Sequence, residues 1–103
     1  MKEIDFETAV FYVGQNCSEN DKLFKTMSGD AHWFHLDTQT SSHVYCVKKE
    51  QSSNKLTKEE IKKGAELVKL WSKKTDKVIY IKKSKLKRIG PGLVELLDNP
   101  KYA

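Results

Sequence analysis

Cysteine, proline and long apolar runs are all scarce in this chain, and each scarcity removes a class of protein. Two cysteines, Cys17 and Cys46, in 103 residues cannot supply the several bridges of a disulfide-stapled secreted scaffold. No apolar run follows a basic start, so no secretory leader is expected, and no stretch approaches the ~20 apolar residues that cross a bilayer as a helix. With two prolines and five glycines there is no low-complexity linker and no internal repeat. Glycine-rich phosphate loops and serine elbows are missing as well, which removes the common nucleotide-fold and hydrolase signatures. A reducing, cytoplasmic setting without a membrane span is the expectation.

What the chain has is enough to fold. Apolar residues make up 38 % and charged residues 32 %, and ten aromatics run from Phe6 to Tyr102. A chain of this size buries roughly two-thirds of its unfolded surface and holds a single modest core. One domain over residues 1–103, with its core at about 8–97, is therefore expected. Charge divides the chain more sharply than hydropathy does. Residues 1–47 carry three lysines against seven acids, net −4, whereas residues 48–103 carry sixteen Lys and Arg against seven acids, net +9. Clustered positive potential attracts polyanions, so the second half is the candidate binding surface.

Local patterns give an element order. Thr8–Val13, β-branched and aromatic, reads as a strand that stops at Gly14. Ser18 three residues before Asp21, with Leu23, Phe24 and Met27 at helical spacing, reads as a short helix over Glu19–Met27, and Ser28-Gly29-Asp30 breaks it. His32–Asp37 and His43–Lys49 read as a hairpin around a turn-forming segment, followed by a polar link over Glu50–Asn54. A long helix over Lys58–Lys74 opens with the capping box Thr57 and Glu60 and shows the stripe Ile61, Ala65, Val68 and Trp71. Lys62, Lys69 and Lys73 stack on its other side as a basic ridge. Lys77–Lys82 reads as a strand with Val78, Tyr80 and Lys82 on one face and Ile79 and Ile81 on the other. Gly90-Pro91-Gly92 then turns into a last strand, Leu93–Leu97. The sum is an α+β fold, mainly antiparallel sheet packed against one long helix and one short helix.

The histidine-bearing hairpin invites chemistry. His32-x-x-His35 and His43-x-x-Cys46 have metal-ligand spacing, but on a strand residues i and i+3 point to opposite faces, so neither pair closes on one ion. No metal and no cofactor is expected. Cys46 alternates with Val44 as packing does, and Cys17 precedes a helix start with nothing else to mark it as a nucleophile. His35 and Asp37 share a strand face with Trp33, and Asp37 is placed to orient the imidazole. A small hydrolase or phosphoesterase using His35, Asp37 and His43 is thus one reading. A binding role for the same polar groups beside an aromatic is the other.

In order, the motifs Gly14-x-Asn16-x-x-x-Asn20-Asp21, Trp33-Phe34-His35-x-Asp37, Ser42-His43-Val44, Ala65 to Ser72-Lys73 and Pro91-Gly92 resemble the NFACT RNA-binding domain. This module occurs in ribosome quality-control factors that extend stalled chains and in small stand-alone proteins of the coiled-coil-domain-25 type. The resemblance runs from about Phe11 to Leu97, with the tryptophan and histidine block its most specific part. It implies a non-catalytic α+β domain that binds RNA, tRNA or rRNA, with the ribosome and DNA as further candidate partners. Position by position, it implies nucleic-acid contacts for Asn16, Asn20, Asp21, Trp33, His35, Ser42, His43, Ser72 and Lys73. The chain departs from the family pattern at Ala31, where an acid is usual and Asp30 lies one earlier, and at Glu19, where larger members often carry glutamine. Chain-tailing activity, which belongs with further domains, is not carried over.

Elementary physics gives the same division of labour. Lys62, Lys69, Lys73, Lys87 and Arg88 neutralise phosphates, while Trp33 or Tyr45 stacks an unpaired base and His35, Asn16, Asn20 and Ser42 meet sugar or base edges. Core packing is the competing role for Trp33, and helix capping the competing role for Asn16, Asn20 and Asp21. A basic adaptor for an acidic protein partner is a further alternative. Lys69→Glu or Lys73→Glu is expected to weaken RNA binding in a filter or anisotropy assay, and unchanged affinity in both variants removes the basic ridge from the interface.

Overall fold

The computed structural model describes residues 1–50 and 54–103. Eight strands, two α-helices and one 3-10 turn are present among them. β1 (Lys2–Asp5) and β2 (Ala9–Gly14) precede α1 (Cys17–Thr26), and β3 (His32–Leu36) and β4 (His43–Lys48) precede α2 (Lys58–Ser72). β5 (Val78–Lys82), a 3-10 turn at Lys83–Lys85, β6 (Leu86–Gly90), β7 (Leu93–Leu96) and β8 (Lys101–Tyr102) complete the chain. Six strands form one antiparallel sheet in the order β1-β2-β4-β3-β5-β8, and β6 with β7 forms a separate ribbon. The expected hairpin is present, pairing Trp33 with Tyr45 and Phe34 with Val44. β1, β6 and β8 have no counterpart in the sequence reading, and the link expected at 50–54 falls mainly on residues 51–53, outside those described.

Two crossovers interlock in this order. β2 and β3 run parallel on either side of β4, joined through α1, while β4 and β5 run parallel on either side of β3, joined through α2. Both steps move the same way across the sheet but start from antiparallel strands. If each crossover takes the usual right hand, the helices fall on opposite faces. They do so here. Phe11, Phe34, Leu36, Val44 and Val78 pack against Leu67 and Val68 of α2. Trp33, Tyr45, Ile79 and Ile81 pack with Leu23 of α1 and Leu86 of β6. Burial of one face does not leave the other open, and β3 and β4 are buried on both.

Helix starts follow the capping logic with one shift. The α1 cap is Asn16, not Ser18: its Oδ1 accepts the Glu19 N–H at 2.9 Å, so the helix begins two residues before the expected Glu19. At α2, Glu60 N–H donates to Thr57 Oγ1 and Thr57 N–H donates to Glu60 Oε1, closing the expected box. Glu60 also accepts the Thr8 hydroxyl at 2.6 Å and lies 3.2 Å from the Lys48 ammonium, with its side chain fully buried. One carboxylate therefore ties α2 to the start of β2 and the end of β4. Burial alone raises its pKa, but the Thr8, Thr57 and Lys48 partners outweigh it and hold the carboxyl below its ordinary value.

The buried face of α2 is centred on Glu60, Gly64, Leu67 and Val68, with Ile61, Ala65 and Trp71 at its margin. This is rotated from the expected stripe toward Gly64, which packs directly on Phe34 of the sheet. A Cβ on Gly64 would meet the Phe34 ring at 2.6 Å. Alanine at 64 improves helix propensity by ~1 kcal/mol but overpacks a filled contact, which costs ~1–3 kcal/mol. Gly64→Ala is expected to lower stability in urea unfolding, and a stabilised variant would contradict this packing.

Candidate nucleic-acid interface

Strand order decides which polar residues meet. β3 and β4 run antiparallel with Phe34 opposite Val44, so the next residues outward, His35 and His43, come together with ring centroids 5.0 Å apart. The His35 ring also stacks on Trp33 at 5.0 Å, 14° from parallel, and His43 meets the Trp33 edge at 5.4 Å. Together these rings floor a cleft of about 670 Å³ at the end of the sheet. The start of α1 (Asn16, Cys17 and Asn20), the segment from Asp37 to Ser42, the end of α2 (Trp71, Ser72 and Lys74) and β7 (Leu93, Val94 and Leu96) wall it.

Each wall is held by a specific contact. Asn20 presses so closely on β2 that a Cβ on Gly14 would lie 2.1 Å from its Oδ1, and the same oxygen accepts the His43 N–H at 3.4 Å. Ser72 Oγ accepts the Ser42 N–H at 3.0 Å. Lys73 takes the left-handed conformation, φ 55°, that ends α2 and turns the chain back, and Lys74 then donates to Thr40 O at 2.8 Å. The β6–β7 ribbon docks through Asp21, which accepts from Arg88 Nε at 2.7 Å, from the Gly92 N–H at 3.2 Å and from Lys25 at 3.1 Å. Arg88, then the Gly92 N–H and Lys25, hold the Asp21 carboxyl well below the usual carboxylate range. Cys17 Sγ donates to Pro91 O beside Gly92, whose φ of 70° and proximity to Cys17 leave no room for a side chain.

Asn16, Asn20, Trp33, His35, Ser42, His43 and Ser72 thus converge on one cleft, whereas Asp21, Lys62, Lys69, Lys73, Lys87 and Arg88 lie outside its lining. Three assignments need correction. Tyr45 is fully buried and offers no face to a base, and Trp33 is 2 % exposed beneath the His35 ring. Both pack in the α1-side core, because that face is covered as well. Arg88 is not a free cation: its fork is spent on Asp21, and a paired charge contributes little to phosphate binding. Lys62, Lys69 and Lys73 are exposed as expected, though Lys73 caps the helix instead of lying within it.

The histidines are not arranged as a general acid–base pair. His35 Nδ1 lies 2.6 Å from Leu36 O, and a carbonyl only accepts, so Nδ1 carries the proton. Asp37 does not orient this ring; its carboxylate accepts the Tyr102 hydroxyl at 3.1 Å. Burial, then the neighbouring His35, pushes His43 down to about 3, and burial lowers His35 too. A base so weak is poorly matched to proton transfer near neutrality. On the other sheet face, His32 Nε2 donates to Asn54 O at 2.8 Å, and burial pushes the Cys46 thiol up to about 12. Among the described residues no three His, Cys, Asp or Glu side chains converge as a metal site requires.

A second cleft, of about 640 Å³, opens between the start of α2 and the β5–β8 edge. Lys55, Lys82, Lys85 and Lys101 line it with His32, Asn54 and Asn99, and among the described residues Asp98 is its one acidic lining group. Sequence reasoning misses this cleft, since β8, which carries Lys101, has no strand pattern. It likewise misses Trp71, Lys74, Leu93 and Leu96 in the first cleft. The signal for Lys74 is the helix end at Ser72, two residues earlier than expected, with Lys73 as the left-handed cap between them.

All three histidines have depressed values, so the unfolded chain binds protons that the folded protein refuses. Their contribution to stability is complete above the unfolded value, ~6.5, and declines as pH falls toward the folded values. Stability measured by denaturant is expected to fall by about 1.4 kcal/mol per pH unit for each histidine fully protonated only when unfolded. A flat profile between pH 7 and pH 5 would contradict the burial of His43.

The family model for the NFACT protein RNA binding domain matches residues 4–98. Among solved structures, the C-terminal part of the fibronectin/fibrinogen-binding protein from Streptococcus suis has the same fold, with a TM-score of 0.77 and 26 % identity over 92 % of this chain. This chain spans 40 % of that one. No curated protein matches.

Proposed function

The chain belongs to the NFACT RNA-binding domain family, and from that premise we propose that it is a non-catalytic module for structured RNA of the translation apparatus, tRNA or rRNA. The observation that carries this reading is the distribution of unpaired lysine. Lys62, Lys69 and Lys73 on and just after α2, Lys87 on β6, and Lys82, Lys85 and Lys101 around the second cleft have no ion-pair partner among the described residues. Lys25, Lys48 and Lys49, by contrast, are paired with Asp21, Glu60 and Asp5. Lysine acts as a hydrated point charge, suited to phosphate and indifferent to sequence.

The resemblance to ribosome quality-control factors supports a translation setting, and DNA is the natural control. Phosphate contacts alone do not distinguish the two polymers, whereas contacts to the 2′-hydroxyl do. Hydrolysis by His35, Asp37 and His43 is disfavoured by the Tyr102 partner of Asp37 and the low basicity of His43.

The double variant Lys82→Glu, Lys85→Glu is expected to weaken tRNA binding and to flatten its dependence on salt by about one unit of log–log slope for each phosphate no longer neutralised. Fluorescence anisotropy between low and moderate salt checks both. Unchanged affinity and slope would exclude the second cleft from the interface.

A further inference from the structure

We propose that the cleft floored by Trp33, His35 and His43 takes one unpaired nucleoside, with its base edge set against Trp33 Nε1 and His43 Nδ1. This rests on the RNA-binding reading and names the ligand of one site within it. Four buried side-chain polar atoms have no hydrogen-bond partner among the described residues: Trp33 Nε1, His43 Nδ1, Tyr45 OH and Trp71 Nε1. Three of them belong to residues that line this cleft. Buried polar atoms are almost always satisfied, because each orphan costs ~1–3 kcal/mol. Three at one cleft mark a place where a ligand supplies the missing partners.

The chemistry of the lining selects the ligand. An indole N–H only donates, so the group facing Trp33 presents an acceptor, as every nucleobase edge does. Amides and hydroxyls dominate the rim, among them Asn16, Asn20, Thr38 and Ser42. The charged groups described there are already engaged, Lys74 with Thr40 O and Asp37 with Tyr102. Such a rim suits ribose hydroxyls and a neutral base better than a phosphate. Leu93, 57 % exposed, and Leu96 supply an apolar wall for the base's flat face. The volume falls within the ~300–1,000 Å³ of small-ligand sites. His35, half-buried and lying on Trp33, is the cover that moves to admit the base. Burial keeps both histidines neutral near pH 7, which spares an uncharged ligand a mismatched field.

The test reads the two tryptophan indole N–H signals of the isotopically labelled full chain by NMR, assigned with Trp71→Phe. AMP, CMP, GMP, UMP and ribose 5-phosphate are titrated separately, and a short single-stranded oligoribonucleotide is followed in parallel by anisotropy. A saturable shift of the Trp33 signal with at least one nucleotide, and none with ribose 5-phosphate, is expected. Trp33→Phe, which keeps an aromatic ring and removes the donor, is expected to weaken that nucleotide about tenfold while leaving the salt slope of the oligonucleotide unchanged. An equal shift with ribose 5-phosphate overturns the base-binding assignment in favour of phosphate. If the oligonucleotide binds while the Trp33 signal stays still with every probe, the cleft proposal falls and the RNA-binding reading stands. If neither the oligonucleotide nor tRNA binds in the same anisotropy assay, both fall, whereas tRNA binding with a still Trp33 signal removes the cleft alone.

Discussion

Everything in this protein follows from the interleaving of two crossovers through one sheet. Because β4 lies between β2 and β3, and β3 lies between β4 and β5, the central strands receive a helix on each face. A sheet covered on both sides needs apolar residues at nearly every position of its central strands, and His32–Leu36 and His43–Lys48 come close to that. The polar residues they do carry sit toward strand ends, where backbone and side-chain partners remain within reach. His32 finds Asn54 O and His35 finds Leu36 O, whereas His43 Nδ1 has only the rings of Trp33 and His35 beside it.

The two covering layers are pinned differently, and the difference bears on motion. α2 is fixed by a buried carboxylate: Glu60 gathers Thr8, Thr57 and Lys48 within a well-packed face. The β6–β7 ribbon is fixed at the surface, by Asp21 to Arg88 and Gly92 and by Cys17 to Pro91, with Leu86 and Val94 as its apolar anchors. Ile89, Leu93 and Leu97 remain more than half exposed on or beside it. Few buried apolar contacts and surface polar ties are the features of a unit that opens at low cost. One wall of the first cleft therefore belongs to the more easily displaced layer, while its floor belongs to the rigid sheet.

Legibility from the sequence tracks how local each signal is. The α2 cap, the central hairpin and the two faces of β5 rest on spacings of two to four residues and are readable. Glu60 reads as half of a capping box, yet its burial depends on Thr8 and Lys48, far away in sequence. Asp21 and Arg88, 67 residues apart, both read as facing nucleic acid, because no local pattern announces that they bind each other. Trp33 and Tyr45 look available for stacking because alternation shows that a strand has two faces, not whether both are covered. β1 and β8 are edge strands of four and two residues, exposed along most of their length, and such strands carry little hydrophobic pattern. The first cleft gathers residues from several separate elements and segments, so its members are individually visible in the sequence but their meeting is not.

Charge is placed according to the same division between covered and open surface. Lys62, Lys69, Lys73, Lys82, Lys85, Lys87 and Lys101, which have no ion-pair partner among the described residues, lie on and just after α2, on the ribbon and around the second cleft, where water solvates them until a polyanion arrives. A cation placed instead on the floor of the first cleft would lose its hydration in the apoprotein, at a cost that rises steeply with burial. Tryptophan and neutral histidine offer hydrogen-bonding groups there without that penalty, and they keep the local field small. On the proposed reading, affinity and choice are therefore carried by different surfaces. Salt governs the first through the lysines, and hydrogen-bond complementarity governs the second through Trp33 and His43, which ionic strength barely touches.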